Sequence, residues 1–207
     1  MNRFGKIIFV SALTLFGAMP VMATEEAKYN VVKKDEAFEL RDYAPHIVAE
    51  TVVDGDINDA SSKAFGKLFG YISGKNQSRK KVAMTAPVSQ EPASEKIAMT
   101  APVAQQSVGN KWAVSFMMPV SYTMQTLPKP DDSSVILREV PARRVASIRY
   151  SGLWSEARYL EHKLQLEAWI RKNKLKPSGE ASWARYDPPF KPWFMRRNEI
   201  LIPVEKN

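Results

Sequence analysis

Two histidines, His46 and His162, nine methionines and no cysteine are what this chain offers a transition metal. Without thiolates, disulfides, thiol nucleophiles and thiolate ligation are excluded, and imidazole, thioether or phenol ligands remain. His162 falls within a helical stretch, close to Leu166 and Trp169, and is the candidate metal ligand; His46 lies between Pro45 and Ile47 where a strand begins. Met84, Met99, Met117 and Met118 read as fillers of irregular core space, the usual use of a flexible thioether. A second constellation lies near the C-terminus, where Arg185, Lys191, Arg196 and Arg197 bracket Tyr186, Phe190 and Trp193. Cations beside aromatic rings suit a flat anionic ligand, although Pro188, Pro189 and Pro192 are equally consistent with a solvated, proline-anchored loop. For catalysis the chain offers little: it has no nucleophile elbow, no phosphate-cradling glycine loop and no His-Glu-x-x-His. Glu161 and His162 are not an acid/base pair, because helical neighbours in sequence do not face one another.

The elements that position these residues come from an internal repeat. Leu40-Arg41-Asp42 to Ala49 aligns without a gap on Leu137-Arg138-Glu139 to Ala146, an offset of 97. The same offset pairs Gly55 with Gly152, Phe69 with Leu166, Ile72 with Trp169 and Asn76 with Asn173, while Met118-Pro119-Val120 echoes Ile202-Pro203-Val204. Two repeats, about residues 28–122 and 133–205, therefore share one plan. Alternating, β-branched residues predict strands over Tyr29 to Leu40 and His46 to Val53, then a helix carrying Ile57, Ala60, Ala64 and Leu68 up to Gly74. The second repeat predicts strands near Val135 to Glu139 and Arg144 to Tyr150, and a helix over Ser155 to Asn173 with Ala157, Leu160, Leu164 and Ala168 on its apolar face. Lys81 to Val88 recurs as Lys96 to Val103, which predicts a hairpin, and Trp112 to Val120 and Asn198 to Val204 supply closing strands. The fold class expected is α+β: a distorted antiparallel β-barrel of two pseudo-twofold-related βαβ-type repeats with two flanking helices. Such a body leaves a groove where helix meets sheet, a common place for a ligand.

Length and composition agree. The 207 residues, 44% apolar and 25% charged, suit one domain with one core. Residues 1–23 read as a secretory signal: Arg3 and Lys6, an apolar run from Ile7 to Met19, and small residues up to Ala23. Cleavage after Ala23 would leave residues 24–207 as the domain, in the periplasm or outside the cell, and lower the net charge from +8 to +6. The apolar run is short of the roughly 20 residues that span a bilayer, and no later segment could do so. Lys and Arg are spread along the chain, which favours small anionic ligands over nucleic acid.

Several motifs, in order, resemble one family. The doubled Ala-Met-Thr-Ala-Pro-Val at 83–88 and 98–103, Tyr71-Ile72-Ser73-Gly74-Lys75-Asn76, Tyr150-Ser151-Gly152, and Tyr186-Asp187-Pro188-Pro189-Phe190 followed by Arg196-Arg197-Asn198-Glu199 look like the SOUL heme-binding proteins across roughly residues 28 to 205. The resemblance implies a barrel of eight or nine strands with two helices, no catalysis, and reversible binding of heme or another porphyrin in an apolar groove beside the first helix and the Tyr186 to Trp193 loop. Carried over by position, the first-helix ligand-binding residues would be Ser62, Phe65 and Phe69; Arg185, Tyr186, Phe190 and Lys191, from the cationic and aromatic segment read above, complete the candidate set. His162 would be a weak axial ligand. Helical geometry supports Phe65 and Phe69: they lie about 60° and 100° from Leu68, on the shoulder of the buried stripe. Some relatives carry a histidine after the arginine matching Arg41, where this chain has Asp42. An alternative is a small-molecule hydrolase or effector-binding domain of a related two-repeat fold, with Tyr186 or Tyr71 and an acid such as Glu180.

Overall fold

A computed structural model describes residues 24–79 and 94–206. The signal over residues 1–23 and the first arm of the hairpin, Lys81 to Val88, lie outside the described residues. Among the described residues eleven strands and two α-helices follow one another as β1 (Tyr29–Asp35), β2 (Phe38–Tyr43), β3 (His46–Val53), α1 (Ile57–Ile72), β4 (Asn76–Gln77), β5 (Val103–Val108), β6 (Lys111–Met117), β7 (Lys129–Pro130), β8 (Ile136–Val140), β9 (Arg143–Tyr150), α2 (Glu156–Lys172), β10 (Ser182–Arg185) and β11 (Asn198–Val204). Tyr29 to Leu40, expected as one strand, is instead a hairpin that turns at Glu36, where φ is +52°.

The main sheet is antiparallel, in the order β1-β2-β9-β11-β10-β5-β6-β3-β8. With β2 equivalent to β8, β3 to β9, β5 to β10 and β6 to β11, the order from β2 to β8 reads as a palindrome about the β10–β5 pair. The offset of 97 is exact for β3 and β9, which run 46–53 and 143–150. Gly55 and Gly152 follow them with φ of +127° and +135°, a conformation for which glycine is the default residue.

The repeats are nonetheless not separate bodies. β2 of the first repeat pairs with β9 of the second, and β8 of the second pairs with β3 of the first. The reason is legible in the connections. β2 reaches β3 through Ala44-Pro45, and β8 reaches β9 through Pro141-Ala142. A two-residue hairpin of the favoured type needs positive φ at both positions, and proline is locked near −65°. Each β2-type strand therefore diverges from its successor and exchanges into the other half.

The sheet curls so far that residues from eight of its strands, Tyr43 of β2 and Val140 of β8 among them, line a single inner cavity of about 80 Å³. Its outer face carries the helices. Alternation sends Ala49, Val53, Val114 and Phe116 against α1, which buries Ala60, Ala64 and Leu68. It sends Ala146, Ile148, Ile200 and Ile202 against α2.

On α2 the expected face is overturned. Tyr159, His162, Leu166, Trp169 and Ile170 are buried, while Ala157, Leu160, Leu164 and Ala168 face solvent, Leu164 at 63% exposure. The buried positions 162, 166, 169 and 170 match 64, 68, 71 and 72 of α1 at an offset of 98, not 97. One extra residue between Gly152 and the helix start turns the helix by about 100°. The strand echo is likewise out of step. Val48 pairs with Met117 and its equivalent Val145 pairs with Pro203, so Met118-Pro119-Val120 sits two residues from structural equivalence with Ile202-Pro203-Val204.

Candidate functional site

The first helix begins where Asp56 accepts a hydrogen bond from the Asp59 amide at 2.9 Å, an N-cap arrangement. One of its faces is exposed among the described residues. Within about 100° of arc stand Phe65, Phe69, Ser62, Ser73 and Gly66, all exposed. Phe65 and Phe69 are 39% and 47% exposed, their rings stacked with centroids 5.7 Å apart and planes 10° apart. Phe65 is fixed from below by the edge of Phe116 at 5.4 Å. Beside the rings a Cβ on Gly66 would meet nothing within 4 Å. Glycine inside a helix costs about 1 kcal/mol relative to alanine, and no packing among the described residues asks for it here. The result is a shallow platform: two parallel rings flanked by a residue with no side chain.

The second helix lacks this platform. At the offset of 98 its equivalents of Phe65 and Phe69 hold no pair of rings, because Lys163 and Glu167 stand there as an ion pair at 2.9 Å. The aromatic face belongs to α1 alone.

The residues expected to join it from the C-terminal segment divide between two faces of the sheet. Arg185 points outward toward α1, but it is 7% exposed, not displayed on a loop. Its guanidinium donates to Ser61 Oγ and to Gln105 Oε1, and it lies over the rings of Trp154 and Trp183. Burial pushes it down to about 10, still cationic at neutral pH, and among the described residues it has no carboxylate partner. Tyr186, the next residue, faces the inner cavity by strand alternation and donates to Glu199 Oε2 at 2.9 Å. Beyond it Phe190 is 87% exposed, with Trp193, Phe194 and Met195 exposed as well. Lys191 is tied to Asp187 at 2.5 Å, so its charge is already engaged. What joins this segment to α1 is the contact between Arg185 and Ser61.

His162 is corrected most sharply. The candidate metal ligand lies in the core: the ring is 8% exposed and stacked on Tyr150 at 3.7 Å, with Nδ1 2.7 Å from the Arg158 carbonyl oxygen. An imidazole covered in this way is a packing element rather than an axial ligand.

Sequence reasoning missed the inner face. There Glu199, fully buried, accepts from Arg41 Nη1 at 2.6 Å and Nη2 at 3.1 Å, from Arg197 Nε at 3.0 Å and from Tyr186. Burial pushes the Glu199 carboxyl up, but the hydrogen bond and charge of Arg41 and the charge of Arg197 outweigh it and hold it below the ordinary range. Tyr71 and Glu180 form no such pair; Tyr71 is buried and its hydroxyl donates to the Pro128 carbonyl oxygen. The signal for Glu199 was its parity with Leu201 in β11, readable only once the sheet's curl assigned that face to the interior.

Comparison with known proteins gives three kinds of likeness. The profile of a family described as SOUL heme-binding protein matches residues 24–203. Heme-binding protein 1 of Mus musculus is 31% identical over 152 residues, covering 73% of this chain and 75% of that protein. Heme-binding protein 1 of Xenopus tropicalis is 27% identical over 194 residues, covering 90% and 93%. Among solved structures, a hydrolase from Listeria innocua superposes with a TM-score of 0.59 at 13% identity, covering 84% of this chain and 94% of its own, a likeness of fold alone.

Proposed function

The chain belongs to the SOUL heme-binding protein family, and from that premise we propose that it binds heme or a related tetrapyrrole, without catalysis, as a carrier or buffer. The observation that carries the placement is the platform on α1, where exposed, parallel Phe65 and Phe69 adjoin the empty flank of Gly66. A macrocycle laid on these rings gains stacking and removes apolar area from water. Ser62 borders the same face, and Phe190 supplies an exposed ring on the neighbouring segment. Arg185 acts from beneath as a buried cation, without a carboxylate partner among the described residues, that favours a carboxylate-bearing ligand, while Tyr186 and Lys191 serve the protein's own ion pairs. No axial ligand is required on α1, so binding there rests on apolar contact and is reversible. A leader over residues 1–23 would place this activity outside the cytoplasm. Titration with hemin tests the reading. A saturable Soret shift at micromolar ligand is expected, weakened at least tenfold by Phe65→Asp or Phe69→Asp; a featureless titration, or equal binding by both variants, overturns it.

The hydrolase alternative needs a base or acid free to exchange protons. Glu199 beside Tyr186 is the pair nearest to that description, yet two arginines hold it ionised and fully engaged. Such a carboxylate is a poor general acid and has no lone pair directed at a substrate.

A further inference from the structure

Three neighbouring strands of the curled sheet have their ends together: β6 stops at Met117, β3 starts at His46 and β8 stops at Val140. Against these ends lies a depression of about 510 Å³, within the roughly 300–1,000 Å³ of pockets that accept small molecules and cofactors. Its wall is apolar at Ile47, Met117, Met118, Pro119, Val120 and Val140. None of Ser62, Phe65 or Phe69 lines it, nor does any residue of the Arg185 to Trp193 segment, so it is separate from the α1 platform.

The charge at this wall runs against that of the chain. The chain carries +8, yet three carboxylates, Glu25, Glu26 and Glu139, line the depression against one lysine, Lys28. Glu26 is taken up by Arg197 at 2.9 Å. The other two are placed at the apolar wall by the fold. Glu25 Oε1 accepts the Val120 amide hydrogen at 2.8 Å, which pins that carboxylate beside a lining residue. Glu139 stands opposite Ile47 in the β3–β8 pair, and opposed residues of an antiparallel pair project to the same side of the sheet, so its side chain accompanies that of Ile47. Neither Glu25 nor Glu139 has a cationic side-chain partner among the described residues. Lys28 offsets one of the two charges and leaves one. Among the described residues no group of three His, Cys, Asp or Glu side chains is placed to hold a metal ion. A compact ammonium is strongly hydrated, and an apolar wall does not replace its water. An organic cation whose single charge is spread over an apolar body loses less hydration and gains by burying that body.

We propose that this depression binds an apolar organic monocation, held by burial of its body against Ile47, Met117, Met118 and Val120 and by the charges of Glu25 and Glu139. Neither the ligand class nor the position rests on the heme-binding reading. The test titrates the full chain calorimetrically with tetraphenylarsonium and with tetraphenylborate, ions of nearly equal size and shape and opposite charge. Val120→Trp, at a position 65% exposed and so neutral for folding, fills the depression and defines the binding that belongs to it. Tetraphenylarsonium should occupy one saturable equivalent that Val120→Trp removes, and tetraphenylborate should have no component that this variant removes. Glu25→Gln and Glu139→Gln keep the shape of each side chain, and together they should weaken tetraphenylarsonium by about tenfold or more while the hemin titration is unchanged. Phe65→Asp should leave tetraphenylarsonium binding as it is. The absence of a saturable equivalent, a tetraphenylborate component as strong as the arsonium one, indifference to the double glutamine variant, or loss of arsonium binding in Phe65→Asp would overturn the proposal. A failed hemin titration beside the expected arsonium result would remove the heme site and keep this one.

Discussion

Arg41 of β2 and Glu199 of β11 meet inside the curled sheet through two hydrogen bonds, at 2.6 and 3.1 Å, although 158 residues separate them. They are 2% and 0% exposed, and β9 lies between their strands. Arg197 approaches the same carboxylate and also reaches Glu26 at 2.9 Å, so the network runs from the N-terminal segment to the last strand. Such a network ties the two repeats together at the place where they have exchanged strands.

Removing one partner leaves the other charged and buried. Arg41→Ala or Glu199→Gln should each lower stability by about 3–5 kcal/mol, measured as a fall in urea midpoint. The double replacement Arg41→Met with Glu199→Leu should recover most of the loss, since well-packed apolar residues of similar size often replace buried ion pairs at little cost. A double variant as unstable as the sum of the singles would show the pair to be worth more than its desolvation cost.

Acid should weaken the fold through the same carboxylate. Glu199 in the folded chain lies below its unfolded value of about 4.3. Its contribution is therefore complete above that value and is lost as pH falls through the lower, folded one. Urea midpoints should drop between roughly pH 5 and pH 3, and Glu199→Gln should flatten that limb. Asp42 and Asp187, also held low by arginine and lysine partners, keep the remaining slope. A limb of identical steepness in the variant would assign the acid sensitivity elsewhere.

Gly66 separates folding from binding. Gly66→Leu replaces a poor helix residue by a good one where there is room, and should raise stability by about 0.5–1 kcal/mol. The same side chain covers the flank of the Phe65–Phe69 platform, so hemin affinity should fall at least tenfold. A variant that is more stable and binds hemin as before would show that the ligand does not use this flank.

The rotation of α2 can be checked with two leucines. Leu166→Ala, at a fully buried position, should cost about 2–5 kcal/mol. Leu164→Ala, at an exposed one, should stay within about 0.5 kcal/mol. Thermal melts of the pair check the rotation, because the face expected from the sequence, with Leu164 turned inward, would exchange the two outcomes.

Much of the architecture was legible in the chain because local periodicity and special backbone positions leave marks. The strand at 46–53, the one expected over 144–150 and found over 143–150, the glycines that follow them, the first helix and the exposed shoulder of Phe65 and Phe69 all follow from a single element's own pattern. Periodicity tells which residues share a face, but not which face meets the core. On α2 both stripes carry apolar residues, and only contact with β9 and β11 selected the one holding His162. Arg185 and Tyr186, adjacent in sequence, go to opposite sides of one sheet, and only the curl decides which side is interior. The exchange of β2 and β8 between repeats, and with it the meeting of Arg41 and Glu199, belongs to tertiary structure alone. The prolines forbid a tight hairpin, yet where each strand goes instead is set by the edge that the other repeat leaves open.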